Sequence, residues 1–380
     1  MRFPKNEDIE RAKADLPGQM SRIARSLESL HGEKSMIYLG DYPDYATVKR
    51  WVSTHNRAID YIISGKADGT GGFPCGRIIE LFGDPSSGKS LLLAHVLAET
   101  QRMGGIPALV DAEATFDWSF AERIGLNPKN MLYTKAHRYE RTKRKIIGKN
   151  GKIEDVEIES VVAASVERVA QILKDLIDIT CHEHPGVLLV IGLDSVAILT
   201  TEHELDAPDR RDLTKAQALR KFVRDLEGKI SELDIMLICT NHVIANIDAN
   251  PFIHKVGPRE LKSTPGGSGL PFGSSVRLDL KRGKDIKENN VIVGHEIWAF
   301  THKSKVFPAR KTSVVEMRFD RGIDPNSGLL DVLVNQNIVE EMGSAVYRFK
   351  GERFKRHKME KYKGFDEIIE SHPEILTLLK

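Results

Sequence analysis

The stretch Gly83-Asp84-Pro85-Ser86-Ser87-Gly88-Lys89-Ser90 fits the spacing G-x-x-x-x-G-K-[ST], and each position in that pattern has a chemical reason. The glycines let backbone N–H groups curl around a phosphate, and a helix starting at the end of the loop adds partial positive charge. Lys89 supplies a point charge for the β- and γ-phosphates, and the Ser90 hydroxyl is a hard oxygen ligand for Mg²⁺. The chemistry implied is binding and hydrolysis of ATP. Two carboxylates are candidates for the rest of it. Asp194 closes the apolar run 187–193, where it can hold Mg²⁺ through the ion's water shell; its other reading is a helix N-cap. Glu113 follows Val110-Asp111-Ala112 and is placed to orient or deprotonate an attacking water. A surface carboxylate after a strand has the same sequence appearance.

Such a loop needs a strand before it and a helix after it. Arg77-Ile78-Ile79-Glu80-Leu81-Phe82 reads as the strand, and residues 90–102 as the helix. Three further short apolar runs, 106–110, 187–191 and 235–239, read as strands buried on both faces of a parallel sheet. Val162, Val166, Val169, Leu173, Leu176 and Ile177 form the stripe of another helix. Alternating strands and helices predict an open α/β sheet whose ligands sit beyond the carboxyl ends of the strands. Two segments interrupt the pattern. Residues 137–160 run from basic to acidic around Asn150-Gly151 and predict an inserted β-ribbon. Residues 246–269 lack periodicity and end in Thr264-Pro265-Gly266-Gly267-Ser268-Gly269, as a functional loop would.

At the ends of the chain, residues 1–50 read as an appendage for oligomerisation. It carries a helical pattern broken at Pro17-Gly18 and a short strand at Met36-Ile37-Tyr38-Leu39. Residues 51–335 read as the core, and 336–380 as a small region ending in a basic helix with Arg353, Lys355, Arg356, Lys358, Lys361 and Lys363. The formal net charge of +2 in 380 residues leaves no global field to hold a polyanion, so local basic patches must do it. Cys75, Cys181 and Cys239 show no metal-ligand spacing and read as reduced thiols, with Cys181 and Cys239 in the core. The first residues lack the apolar run of a signal peptide, and no stretch reaches the roughly 20 apolar residues of a membrane span. The expectation is a soluble protein of the cytoplasm.

Taken in order, these residues resemble the RecA family of recombinases. The resemblance rests on Gly72 to Gly83 leading into the phosphate loop, Val110-Asp111-Ala112-Glu113, Leu193-Asp194-Ser195, and Thr264-Pro265-Gly266-Gly267 followed by Ser275-Val276-Arg277-Leu278. His302-Lys303-Ser304-Lys305 and the run from Phe319 to Asp331 are most similar to the phage UvsX branch. The resemblance spans roughly residues 50 to 335 and implies a RecA-like ATPase core, a mostly parallel sheet flanked by helices. It implies Glu113 as general base, Asp117 as a hydrogen-bonding group for adenine and Phe120 as the ring that stacks on it; Phe120 otherwise reads as helix core. His242, after Asn241, takes the position that senses the γ-phosphate.

The same resemblance implies DNA contacts from two loops. The first covers residues 200–212 and leads into a helix carrying Arg220 and Arg224, four apart on one face. The second, residues 243–269, supplies Lys255, Arg259 and Lys262 beside the backbone of Gly266 and Gly267, a composition suited to tracking a single strand. Lys303 and Lys305 are implied to reach the ATP of a neighbouring subunit, and Phe272 to plug into it; the plain alternative is an exposed lysine pair and a core phenylalanine. The implied activity is an ATP- and Mg²⁺-dependent recombinase. It would form a helical filament on single-stranded DNA and pair it with homologous duplex, with a mediator or single-strand binding protein as a further partner. A RecA-fold hexameric helicase and an ATP-gated recombination mediator share much of this pattern. The second loop and the Lys303–Lys305 pair favour the recombinase.

Overall fold

The computed structural model describes residues 15–32, 35–41, 47–147, 153–206, 214–245, 262–355 and 363–378. The chain forms two units, Met1–Lys49 and Arg50–Lys380. In the first, one helix, α1, runs over Leu16–His31 with Pro17 in its opening turn. Proline stands in the first turn of this helix, which has no intrahelical use for the missing N–H, and the part of the expected pattern before residue 15 lies outside the described residues. Residues 36–39 form no strand; none is described in this unit for them to pair with.

The second unit contains α2 (Arg57–Ser64), β1 (Arg77–Gly83), α3 (Lys89–Arg102), β2 (Ile106–Asp111), α4 (Trp118–Arg123) and β3 (Leu132–Thr134). A ribbon of β4 (Arg138–Ile147) and β5 (Ile153–Val162) follows, then α5 (Val166–Glu183), β6 (Leu189–Asp194), α6 (Lys215–Glu232) and β7 (Met236–Asn241). The last core elements are α7 (Gly269–Gly273), β8 (Val276–Glu288), β9 (Val291–Ser304), β10 (Thr312–Arg318) and β11 (Gly322–Ile323).

Nine strands make one sheet in the order β11-β10-β9-β8-β1-β7-β6-β2-β3. From β8 to β3 every pair is parallel, while β9, β10 and β11 add an antiparallel side. Alternation along β1 sends Ile79 and Leu81 into one core with Ile59, Leu92 and Val96, and Ile78 into the other with Leu173, Phe222 and Leu226. The sheet is thus covered on both faces, as the apolar strands require. In α5 the buried positions Val166, Val169, Leu173 and Ile177 keep helical spacing, and Ser165 caps the helix by accepting from Arg168 N at 3.1 Å. Val162, expected in that stripe, belongs to β5.

The ribbon is present, and its register changes its charge character. Arg141 stands opposite Glu159, Lys143 opposite Glu157 and Lys145 opposite Asp155, so a basic strand lies beside an acidic one. At the C-terminal end, Arg353, Lys355 and Lys363 of the expected basic helix instead lie in a four-stranded sheet, Glu340–Gly343, Val346–Phe349, Glu352–Lys355 and Lys363–Gly364, followed by a helix over Phe365–Ser371, while Arg356, Lys358 and Lys361 lie outside the described residues. The reason is local. Tyr347 and Phe349 alternate into the core, and Lys350-Gly351, both with positive φ, make the tight turn to the next strand. Cys75 and Cys239 are buried and Cys181 is only half-buried, so the core pair differs from the expected one. Among the described residues no helix is long and apolar enough to cross a membrane.

Candidate functional site

The phosphate loop leaves the carboxyl end of β1. A Cβ on Gly83 would stand 2.0 Å from the backbone oxygen of Leu280, so the loop can start this close to β8 only with glycine. Gly88 has φ 93°, and a Cβ there would meet Ile297 Cδ1 at 2.6 Å. Lys89, buried in the first turn of α3, donates to the carbonyls of Gly83 (3.1 Å) and Asp84 (2.9 Å). Burial pulls its pKa down, against the carboxylates of Asp194 and Glu113, which act to raise it. The Ser87 hydroxyl is fully buried, with no hydrogen-bond partner among the described residues. An orphaned hydroxyl and an ammonium folded onto its own loop are both groups that a polyphosphate would satisfy.

Asp194 ends β6 and is buried, accepting from the hydroxyls of Ser90 and Thr240. Burial pushes its carboxyl up, and those two hydrogen bonds act to lower it. The N-cap reading does not hold, because Ser195 occupies that place before the 3₁₀ turn Val196–Ile198. Among the described residues no group of three or more His, Cys, Asp or Glu side chains could hold a metal. Ser90 and Asp194 instead offer two hard oxygens beside the phosphate loop, which suits Mg²⁺ shared with phosphate oxygens.

The Asp194 carbonyl accepts from Ala112 N (2.7 Å) and Glu113 N (3.3 Å), which draws the exit of β2 against the exit of β6. Glu113 Oε1 accepts from the Ser195 hydroxyl and lies 3.1 Å from His242 Nε2. Three strand ends thereby bring Glu113, Ser195 and His242 together. Asp117 is fully exposed and caps α4, accepting from Phe120 N (3.0 Å) and the Ser119 hydroxyl (2.8 Å). Those bonds hold its carboxyl below the usual range. Phe120 is half-buried with the Arg123 guanidinium 5.0 Å from its ring, so it is no core residue. An open cavity of about 330 Å³ adjoins the loop at residues 86–91 and is also lined by Arg282, His295, Met317 and Phe319. Sequence reading missed all four as site residues, because they lie about 200 positions downstream and reach the loop only through the pairing of β8, β9 and β10.

On the α6 face of the sheet, Arg220 and Arg224 are exposed, opposite the buried stripe Leu219, Phe222, Val223 and Leu226. The glycine-rich end of the second loop lies on this helix. A Cβ on Gly266 would stand 2.1 Å from Leu219 Cδ1, one on Gly267 2.9 Å from Ala216 Cβ, and one on Gly269 2.8 Å from Arg220 N. Gly266 and Gly267 also have φ of 90° and 69°, conformations that other residues strain to adopt. The structure thus sets Gly266 and Gly267 against the helix of Arg220 and Arg224. Lys262 lies in a two-residue ladder, Ile244–Ala245 with Lys262–Ser263, while Lys255 and Arg259 lie outside the described residues. In the first loop, residues 207–213 are likewise outside them.

Beneath both sites sits a buried charge the sequence reading passed over. Glu80, fully buried in β1, pairs with Arg277 Nε at 2.5 Å and accepts from Asn241 Nδ2 at 3.0 Å. Asn241 Nδ2 also approaches the Pro265 carbonyl (3.4 Å), and Arg277 lies 4.5 Å from the Phe82 ring centroid. Lys303 donates to the carbonyls of Pro271 (2.9 Å) and Phe272 (2.8 Å) at the end of α7. Burial lowers its pKa, with Lys305 and Arg277 adding to the effect. Lys305 is exposed, and Phe272, 76% exposed, is no core residue. Through Arg277 the register sets Lys303 at the level of Glu80, on the amino-terminal side of the phosphate loop.

A family model described as the RecA N-terminal domain matches residues 19–182 and 156–324. Protein RecA of Chloroherpeton thalassium is 30% identical over 340 residues, 89% of this chain and 82% of that protein. Protein RecA of Thermotoga maritima is 29% identical over 337 residues, 88% and 82% of the two chains. That of Staphylococcus carnosus is 28% identical over 373 residues, 97% and 88%.

Proposed function

The chain belongs to the RecA family of ATP-dependent recombinases, and on that premise we propose which of its residues carry the reaction. It is a DNA-dependent ATPase with strand-exchange activity that uses ATP with Mg²⁺, binds single- and double-stranded DNA and forms filaments. The phosphate loop from Gly83 to Ser90 binds the triphosphate. Lys89 releases the carbonyls of Gly83 and Asp84 to meet the β- and γ-phosphates, and Ser87 gains a hydrogen-bond partner. Ser90 and Asp194 would hold Mg²⁺, which neutralises phosphate charge. Glu113 takes a proton from the water that attacks the γ-phosphorus as the bond to the bridging oxygen of ADP breaks. Asp117 and Phe120 meet the adenine.

His242 senses the γ-phosphate and reports it to the second loop, which it opens. Arg220, Arg224, Lys255, Arg259, Lys262 and the backbone of Gly266 and Gly267 hold DNA phosphates. Lys303 and Lys305 act on the nucleotide of a neighbouring protomer. Their level in the sheet supports this, since it removes them from their own phosphate loop. The segment 1–50 serves assembly, 51–335 is the ATPase core and 336–380 is a small appended region. Membership of the phage UvsX-type branch, action in the cytoplasm and help from a mediator or single-strand binding protein complete the reading; these rest on resemblance.

The observation that carries this reading is the meeting of His242 with Glu113, because it joins the mouth of a DNA loop to a base for hydrolysis. Electron microscopy of the protein with single-stranded DNA and a slowly hydrolysed ATP analogue tests it. Helical filaments are expected. Closed rings would indicate the helicase, and isolated protomers a mediator.

A further inference from the structure

The ribbon of β4 and β5 pairs with no other strand, and among the described residues neither strand packs on another element to a comparable extent. Each strand is ten residues long, and the register runs from Arg138 opposite Val162 to Ile147 opposite Ile153 without a bulge. A two-stranded ribbon alone is marginal in water, and a further strand or a packed face normally completes it. Its two outer edges present main-chain N–H and C=O groups to whatever lies beside them. Proteins usually blunt such edges with short strands, prolines or bulges. Here the strands are long and regular, and neither contains proline.

Charge is what distinguishes the two edges. β4 holds five arginines and lysines against one glutamate, while β5 holds four carboxylates and no cation. Neighbouring strands lie about 5 Å apart, inside the screening length of about 8 Å at physiological salt, so a polyanion near β4 also meets β5. The ribbon as a whole is neutral, which suits capture of DNA poorly. A second copy fits better, and the charges say how it is placed. A twofold axis would set β4 on β4 or β5 on β5, like charge against like. Head-to-tail succession sets β5 of one copy on β4 of the next, opposite charges together. It also leaves those strands antiparallel, as they are within the ribbon.

We propose that β5 of one protomer pairs edge to edge with β4 of the next, so that a second copy of this chain completes the ribbon. Main-chain hydrogen bonds supply the attachment, and the opposite charges of the two strands fix the order of the copies. A contact repeated in this non-closing way builds a filament rather than a dimer. The inference therefore rests on filament formation.

Arg141 on β4 and Glu157 on β5 are both exposed and suit a cross-linking test. Two pools of the full chain, Arg141→Cys and Glu157→Cys, are assembled on single-stranded DNA with a slowly hydrolysed ATP analogue, alone and mixed. Each sample is then treated with a short bismaleimide, with the parent chain as background for its own cysteines. The mixed pool should give covalent dimers about threefold or more above either pool alone, because only there do the two cysteines meet across adjacent strands. Dimers at the mixed level in the Arg141→Cys pool alone would mean a twofold contact. No dimers above background in intact filaments would mean no contact. Either result overturns the inference. Cysteines shielded from the reagent by added duplex, without dimers, would assign the ribbon to DNA and overturn it too. Electron micrographs of the same samples keep the two readings apart, since a parent chain without filaments would fail the filament reading instead. Should a cysteine variant not assemble where the parent does, Lys143→Cys and Glu159→Cys decide by the same comparison.

Discussion

His242 Nε2 lies 3.1 Å from Glu113 Oε1, so the residue that follows β7 and opens the second loop touches the carboxylate that follows β2. An ordered DNA strand that moves the start of that loop must also move this contact. His242→Ala should therefore keep ATP and DNA binding but lose about tenfold or more of the stimulation of hydrolysis by DNA. The check is the ratio of ATPase rates with and without single-stranded DNA; an undiminished ratio would mean the contact carries no coupling.

The Glu80–Arg277 pair makes a prediction about stability. The carboxylate is fully buried, and Arg277 is its cation. Arg277→Ala should leave an uncompensated buried charge and cost about 3–5 kcal/mol of unfolding free energy. Replacing both partners, Glu80→Leu with Arg277→Met, should cost far less, because no charge is then stranded. Urea denaturation of the two variants measures the difference. Equal losses would show that Glu80 does not depend on Arg277.

Lys303 and Lys305 bear on assembly. Changing both to Ala should leave ATP binding by the isolated protomer nearly intact and remove most DNA-stimulated hydrolysis, since a cation supplied in trans to a transferring phosphoryl group is worth about 10³–10⁵ in rate. Mixed filaments with Glu113→Gln protein should recover some turnover, at junctions where an intact Glu113 faces intact lysines. No recovery at any ratio, in filaments containing both proteins, would count against a shared site.

How much of this was legible in the sequence follows from how local each signal is. The phosphate loop, β1, β2, β6, β7 and the ribbon were readable because spacing and apolar runs of a few residues define them. The C-terminal strands read as a helix because dense lysine and arginine mask a period-two pattern such as Val346-Tyr347-Arg348-Phe349. Glu80 reads only as part of a strand, since a carboxylate in an apolar run gives no sign of the arginine 197 positions away that allows its burial. His295 and Phe319 reach the phosphate loop through strand register alone, which composition cannot supply.

The most direct measurement is turnover by Glu113→Gln. The side chain keeps its shape beside Ser195 and His242 but cannot take a proton from water. The variant should bind ATP, form filaments on single-stranded DNA and hydrolyse ATP about 10²–10⁴-fold more slowly than the parent. Hydrolysis at the parental rate in those filaments would contradict the assignment of Glu113 as the base and, with it, the site assembled from β1, β2, β6 and β7.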